Sequence, residues 1–355
     1  MKLSEVLNKA INKVDKNMGL KEFPYITENG KWSTTKDGYW TGGFWIGLLW
    51  FSYKTSGDEK YRNLAYNWLK LLEKRKNDKN MLFDLGFMFF PSFVLGYKIT
   101  NDNYLKGVAL EAADTLSMFF NERSGFICHE ITINGKKAGR TIIDVMMNLP
   151  LLWWAYEETN EENFYNIAYT HSKRTIEEFI REDYSTIHVM DFDLETGEIT
   201  RKLTVQGYSD DSCWSRGQAW AIYGFTLAYR YTEDELFLKT AEKLAEYFIK
   251  NLPDDYVPYW DFSDPNPSVK DSSAAAIACP GLLTLSELSK KDKFEEVALK
   301  ILNSLYINYL SEDGDGILKH GCFYKPKNIG VDESLMWGDY YFVEALIKAL
   351  EEVDI

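Results

Sequence analysis

Two aspartates carry the strongest chemical signal in this chain. Asp84 stands among Met81, Leu82, Phe83, Leu85 and Phe87, and Asp144 between Ile143 and the run Val145-Met146-Met147. A carboxylate without a partner is costly to bury in such company. Two of them at one place suit acid–base work, because desolvation and mutual repulsion keep one protonated near neutral pH. Arg216 lies two residues from Trp214 and one helical turn from Trp220. A guanidinium fork flanked by rings suits a substrate carboxylate. Trp40, Trp214 and Trp220 offer flat apolar faces for sugar rings, although Trp is also a large core residue. His188 begins a strand-like hairpin that turns at Glu195-Thr196-Gly197, and Gln206 closes that insertion. A lone His is as often structural as functional. Asp271 and Asp332 read as ordinary helix N-caps. The four His and four Cys show no metal-ligand spacing. Asp313-Gly314-Asp315-Gly316 lacks the later ligands of a calcium loop and reads as a turn. The chain shows no phosphate loop and no Gly-x-Ser-x-Gly.

These residues need elements to hold them, and helical periodicity dominates. An aromatic residue and a small or branched one recur four apart: Tyr61/Ala65, Tyr104/Val108, Phe164/Ala168, Phe237/Ala241 and Phe294/Ala298. A Thr or Ser precedes each pair, at Thr55, Thr100, Thr159, Thr232 and Ser289. Thr232 and Glu235 have the spacing of a capping box. These helices are amphipathic. A second type, over 42–53, 85–97, 142–156, 214–229, 272–288 and 334–350, is apolar nearly all round and must be buried. The two types alternate about six times from the N-terminal helix onward. Buried helices alternating with half-exposed ones imply an inner ring wrapped by an outer one. We therefore expect an all-α (α/α)6 barrel, with 1–355 as one catalytic domain and an open solenoid of helix pairs as the competitor. Consecutive helices are antiparallel, so all inner helices start at one rim. Trp40, Asp84, Asp144, the segment 214–220, Asp271 and Asp332 all fall there.

Acidic residues outnumber basic ones by 54 to 40, a net charge of −14 that opposes nucleic acid and anionic membranes as partners. A small anionic substrate remains admissible where a local cation offsets the field. The loop Lys319-His320-Gly321-Cys322-Phe323-Tyr324-Lys325-Pro326-Lys327 is locally basic and leads to the same rim. The N-terminus carries no apolar signal core, no apolar run is long enough to span a bilayer, and the cysteines are scattered. A cytoplasmic protein with free thiols follows as an expectation. Oligomeric state is left open, with the monomer as default.

Taken in order, Tyr39-Trp40-Thr41-Gly42-Gly43-Phe44, Asp84-Leu85-Gly86-Phe87-Met88, Asp144-Val145-Met146-Met147-Asn148-Leu149-Pro150, Trp214-Ser215-Arg216-Gly217-Gln218-Ala219-Trp220 and Trp337-Gly338-Asp339-Tyr340-Tyr341 resemble the unsaturated glucuronyl hydrolases, glycoside hydrolase family 88. The Arg-Gly-Gln-Ala-Trp form looks less like the related unsaturated rhamnogalacturonyl hydrolases. The resemblance implies the (α/α)6 fold, no cofactor, and removal of the 4,5-unsaturated uronic acid that polysaccharide lyases leave at a non-reducing end. It implies hydration of a vinyl ether: a proton adds at C4, water adds at C5, and the hemiketal collapses to release the next sugar. Asp144 matches the general acid and base, and Asp84 the second carboxylate. His188, Gln206, Arg216 and Trp220 match residues around the uronate, and Trp40 a wall of the pocket. Phe83 stands where members often have His, and 126–130 where a stacking Trp is expected. An inverting glycosidase acting on intact glycosides would also use two rim carboxylates, so substrate choice separates the two readings.

Overall fold

The computed structural model describes residues 2–78 and 83–351; Met81 and Leu82 lie outside them. The N-terminal helix α1 (Leu3–Asn17) leads through the hairpin β1 (Phe23–Glu28) and β2 (Lys31–Thr35) to α2 (Gly42–Ser56) and α3 (Glu59–Leu72). Next come α4 (Leu85–Phe89), a π-helical stretch (Phe90–Val94), α5 (Leu95–Thr100) and α6 (Asn103–Ser117). The strands β3 (Phe120–Asn121), β4 (Phe126–Ile127), β5 (His129–Ile133) and β6 (Lys136–Ile142) precede a 3-10 turn (Ile143–Met147), α7 (Pro150–Thr159) and α8 (Glu162–Phe179). After β7 (Val189–Phe192) and β8 (Ile199–Leu203) follow α9 (Ser215–Thr232), α10 (Glu235–Lys250), α11 (Ser272–Ser289) and α12 (Lys293–Asn308). The strands β9 (Gly321–Tyr324) and β10 (Ile329–Glu333) lead to α13 (Met336–Glu351).

The apolar helices α2, α4–α5, α7, α9, α11 and α13 touch in sequence, and α13 returns to α2. That closes the inner ring and excludes the solenoid. The amphipathic helices α1, α3, α6, α8, α10 and α12 pack outside. The architecture is an (α/α)6 barrel. Its wall is filled by Trp45, Trp50, Trp153, Trp154, Trp220 and Trp337, all fully buried.

The first five inner helices pass to the outer helices that follow through nearly the same turn. Ser56, Thr100, Thr159 and Thr232 donate their hydroxyls to the carbonyls of Ser52, Gly96, Ala155 and Ala228. Gly57, Asn101, Asn160, Glu233 and Lys290 then take the left-handed conformation. Their backbone N–H groups bond back four residues and end the helix. Asp58, Asp102 and Asp234 cap the outer helices that follow. Here one expectation is corrected. Thr232 is the last residue of α9 and does not cap α10; Asp234 does.

Four further departures shape the opposite rim. The second inner helix shifts to π-helical bonding around Pro91, whose missing N–H breaks the regular ladder. The third does not begin at residue 142. Ile142 still pairs with Val189 in a strand, and the α-helix starts only at Pro150, a favoured first position. The hairpin expected from His188 onward is part of something larger: its strands β7 and β8 join β5 and β6, which precede the third inner helix, in one antiparallel four-stranded sheet. The last inner helix begins at Met336, so Asp332 caps nothing; it lies in β10 and pairs with His320.

Candidate active site

Asp144 sits on the 3-10 turn between β6 and α7, where strand pairing and helix start hold it from two sides. The N–H of Ile143 donates to the carbonyl of His188 at 3.0 Å, tying the turn to the sheet. Asp144 is 8% exposed, and its Oδ2 has no protein hydrogen-bond partner. Burial pushes its carboxyl up to about 7, against the opposing pull of Arg216, its own backbone N–H and the Trp220 indole. Asp84 holds the N-cap position of α4 yet caps nothing with its side chain. Burial first, and then the charge of Asp144, push it up to about 7 as well, with Asn148 pulling the other way. Two carboxyls near neutrality within each other's field form the pair expected from their apolar surroundings. Trp220 Nε1 and Asn148 Nδ2 exert their pulls without closing a hydrogen bond, and both are buried donors with capacity to spare.

Close backbone approach makes this possible. A Cβ on Gly86 would stand 2.3 Å from the Cα of Asn148, so only glycine lets the start of α4 meet the Asp144 segment. A Cβ on Gly217 would meet the Trp214 ring at 2.8 Å.

The cationic side of the site is a stack. His188 lies against Trp214 with ring centroids 4.4 Å apart, and the Arg216 guanidinium lies 4.4 Å from the same Trp214 ring. His188 Nδ1 accepts from the N–H groups of Val205 and Gln206 at 3.3 Å, which leaves the proton on Nε2. Burial and the nearby cations hold this imidazole neutral, down at about 3. Nε2–H is therefore a fixed donor.

Arg216 differs from its sequence expectation. It is 2% exposed and already paired: Nη1 donates to Asp271 Oδ2 at 2.7 Å and to the carbonyl of Cys322, and Nη2 donates to Gln206 Oε1 at 2.6 Å and to the carbonyl of Phe323 at 2.8 Å. Asp271 both caps α11, through the N–H of Ser273, and neutralises Arg216. The cap is thus only half of what Asp271 does. The signal for the second role is spatial, since the partner lies far along the chain.

Trp40 packs on Trp337 at 4.7 Å and on Phe87 at 5.5 Å, and Phe87 touches Trp220 at 5.0 Å. The three predicted tryptophans thus frame the acid pair and the Arg216 stack. Sequence reasoning did not single out Tyr25, gave Asp271 only as a rim N-cap, and carried Tyr39, Phe87 and Phe323 only inside longer segments. Tyr25 lies between Tyr39, Phe323 and Trp337. Asn148 and Trp337 were legible only as parts of longer matched segments. Phe83 and His129 face each other at 5.2 Å, so the two departures from the family pattern meet beside Asp84. Burial pushes the His129 imidazole down to about 4. Among the described residues, no cluster of three or more His, Cys, Asp or Glu is arranged to hold a metal ion.

Comparison with known proteins addresses the whole arrangement. The model of Glycosyl Hydrolase Family 88 matches residues 4–350. An unsaturated chondroitin disaccharide hydrolase from Streptococcus pneumoniae is 38% identical over 97% of this chain and 92% of its own length. The crystal structure of the unsaturated glucuronyl hydrolase of Bacillus sp. GL1 superposes with a TM-score of 0.93 at 33% identity, covering 99% of this chain and 97% of that one. A mutant of the Streptococcus agalactiae enzyme, solved as a complex with dGlcA-GalNAc6S, gives a TM-score of 0.86 at 32% identity, over 100% of this chain and 93% of that one. With fold, rim motifs and sequence agreeing from end to end, the chain belongs to glycosyl hydrolase family 88.

Proposed function

We infer that this chain releases the 4,5-unsaturated uronic acid from the non-reducing end of small oligosaccharides, and we propose that Asp144 moves the protons. The observation that carries the reading is the buried pair Asp84 and Asp144, both pushed up to about 7. Protonated Asp144 gives its proton to C4 of the vinyl ether. The positive charge that develops at C5 and the ring oxygen is stabilised by the carboxylates. The same group, now ionised, takes a proton from the water that adds at C5. The hemiketal then opens and frees the neighbouring sugar. Asp84 orients ring hydroxyls. His188 Nε2–H and Gln206 contact the uronate. Trp40, Trp214 and Trp220 wall the sugar. Arg216 acts from behind Trp214 and Gln206, as a buried cation that positions them and biases the field toward an anion.

A single continuous core supports reading 1–355 as one catalytic domain. Four buried free thiols support a cytoplasmic setting. Among the described residues no helix is long and apolar enough to cross a membrane. The net charge of −14 opposes self-association, which favours a monomer.

The reaction is tested with a panel of unsaturated disaccharides, following loss of the ultraviolet absorbance of the conjugated double bond without added metal or nucleotide. Activity on saturated glucuronides alone would replace this reading with that of an ordinary inverting glycosidase. The pH profile gives a second check. The step needs Asp144 protonated, so kcat/KM falls as pH rises through about 7. A profile flat from pH 5 to 9 excludes Asp144 as the acid.

The basic loop bears on the leaving sugar. Its Cys322 and Phe323 carbonyls hold Arg216, so the loop touches the site's cationic side. Lys325 and Lys327 follow in a short 3-10 turn, with the Lys327 ammonium over the Tyr324 ring. Sulfated chondroitin disaccharides are then preferred over the unsulfated form, and added salt shrinks the preference. Replacing both lysines by Ala removes the preference and spares the unsulfated substrate; equal loss on both would assign the loop to stability alone.

A further inference from the structure

We propose that the cleft between α1 and α12 is a second binding site, separate from the acid pair, for a saccharide bearing carboxylate or sulfate groups. The cleft holds about 650 Å³ and is lined by four cations and one carboxylate: Lys9, Lys13 and Lys16 of α1, then Lys319 and Glu312 beyond α12, with Tyr306 and Asn308 of α12 between them. Lys9, Lys13 and Lys16 fall at successive turns on one face of α1, where like charges repel. Among the described residues none of these four lysines forms an ion pair. Lys13 donates to the carbonyls of Glu312 and Gly314, which fixes its position without neutralising it. Burial and Lys16 lower its pKa, and Asp339, Asp315 and Asp313 offset that only in part. Lys9 stands over the Tyr306 ring at 5.3 Å.

The protein as a whole is strongly acidic, so a concave surface where four cations face one carboxylate, Glu312, without an ion pair is an outlier that favours an anion. The volume lies in the range of small-ligand sites. Tyr306 supplies an apolar face for a sugar ring, Asn308 an amide for hydroxyls, and the lysines point charges for sulfate or carboxylate. The cleft also shares a loop with the active rim. The N–H groups of Ile317 and Leu318 are held by the buried Asp339 carboxylate, and the carbonyl of His320 accepts from Ser272 beside Asp271.

The saccharide class rests on the function proposed above, but the test does not need turnover. A saturated chondroitin-6-sulfate hexasaccharide, which lacks the vinyl ether, is titrated calorimetrically into the full chain at low salt. Inorganic sulfate and the unsulfated, uncharged hexamer of N-acetylglucosamine are the control arms. Binding of the sulfated hexasaccharide that weakens at least tenfold in a Lys9→Gln, Lys16→Gln variant supports the site. Unchanged turnover of an unsulfated unsaturated disaccharide by that variant shows that the fold and the acid pair are intact. Absence of binding, or equal binding by the variant, overturns the proposal. Inorganic sulfate binding as tightly as the hexasaccharide overturns the saccharide assignment. A chain that binds at the cleft yet fails on every unsaturated disaccharide leaves the cleft standing and removes the proposed reaction.

Discussion

Asp144→Asn loses turnover of an unsaturated disaccharide by about 10²–10⁴-fold, the range for removing a general acid. The amide keeps the size of the carboxyl but has no proton to give and cannot take one back. Its effect on stability runs the other way. The folded carboxyl sits at about 7 against an ordinary 3.8, so between these values the native state holds a proton that the unfolded chain has released. This carboxyl's contribution to stability therefore falls as pH rises across that window and stays low above it. The neutral amide carries no such penalty. At pH 8 the variant unfolds in urea at the wild-type midpoint or higher, and the difference shrinks toward pH 5. Near wild-type turnover in the variant would remove Asp144 from the proposed chemistry. A collapsed midpoint at pH 8 would show that its role is structural.

Arg216→Ala costs the fold about 3–5 kcal/mol, the penalty for leaving one half of a buried ion pair unpaired. Asp271, wholly buried, keeps its contacts to Ser273 and Cys322 but loses its cation, and the carbonyls of Cys322 and Phe323 lose their donors. Urea unfolding at pH 7 reads the loss. Arg216→Lys restores charge without the planar fork and recovers only part of it. Activity carries a separate signature. Arg216 opposes the rise of the Asp144 pKa, so its removal moves the fall of kcat/KM to higher pH in whatever enzyme remains folded. A residue that only gripped the substrate would raise KM with little change in the unfolding midpoint.

The barrel is legible in the sequence because its signal is periodic. Amphipathic helices such as α10 and all-apolar ones such as α11 differ in pattern over many residues. Their alternation, together with the shared rim, brings Asp84, Asp144 and Arg216 into one region on pattern alone. What local pattern cannot carry is partnership across the chain. Nothing near Arg216 announces Asp271 or the carbonyls of Cys322 and Phe323. The straight third helix expected from the run 142–156 gives way to a strand and a 3-10 turn because Ile142 and Ile143 bond to the segment at His188. That interruption holds the proposed acid. His129 stands out in the sequence only as part of a departure from the family pattern, yet it faces the other departure, Phe83, in space.

The uniform turns at one end of the barrel have an evolutionary consequence. All five share a left-handed residue, four add a hydroxyl bonded back one turn and three an Asp cap on the next helix, so these hairpins fold back largely on local instructions. Mutational drift in the long connections at the other rim then leaves the helical pairing intact. Such a chassis accepts transplanted loops. On the role proposed for the basic loop, moving the segments around β9 and β10 between homologues is expected to exchange the preferred leaving sugar, while the hairpins stay unaltered as the inherited part.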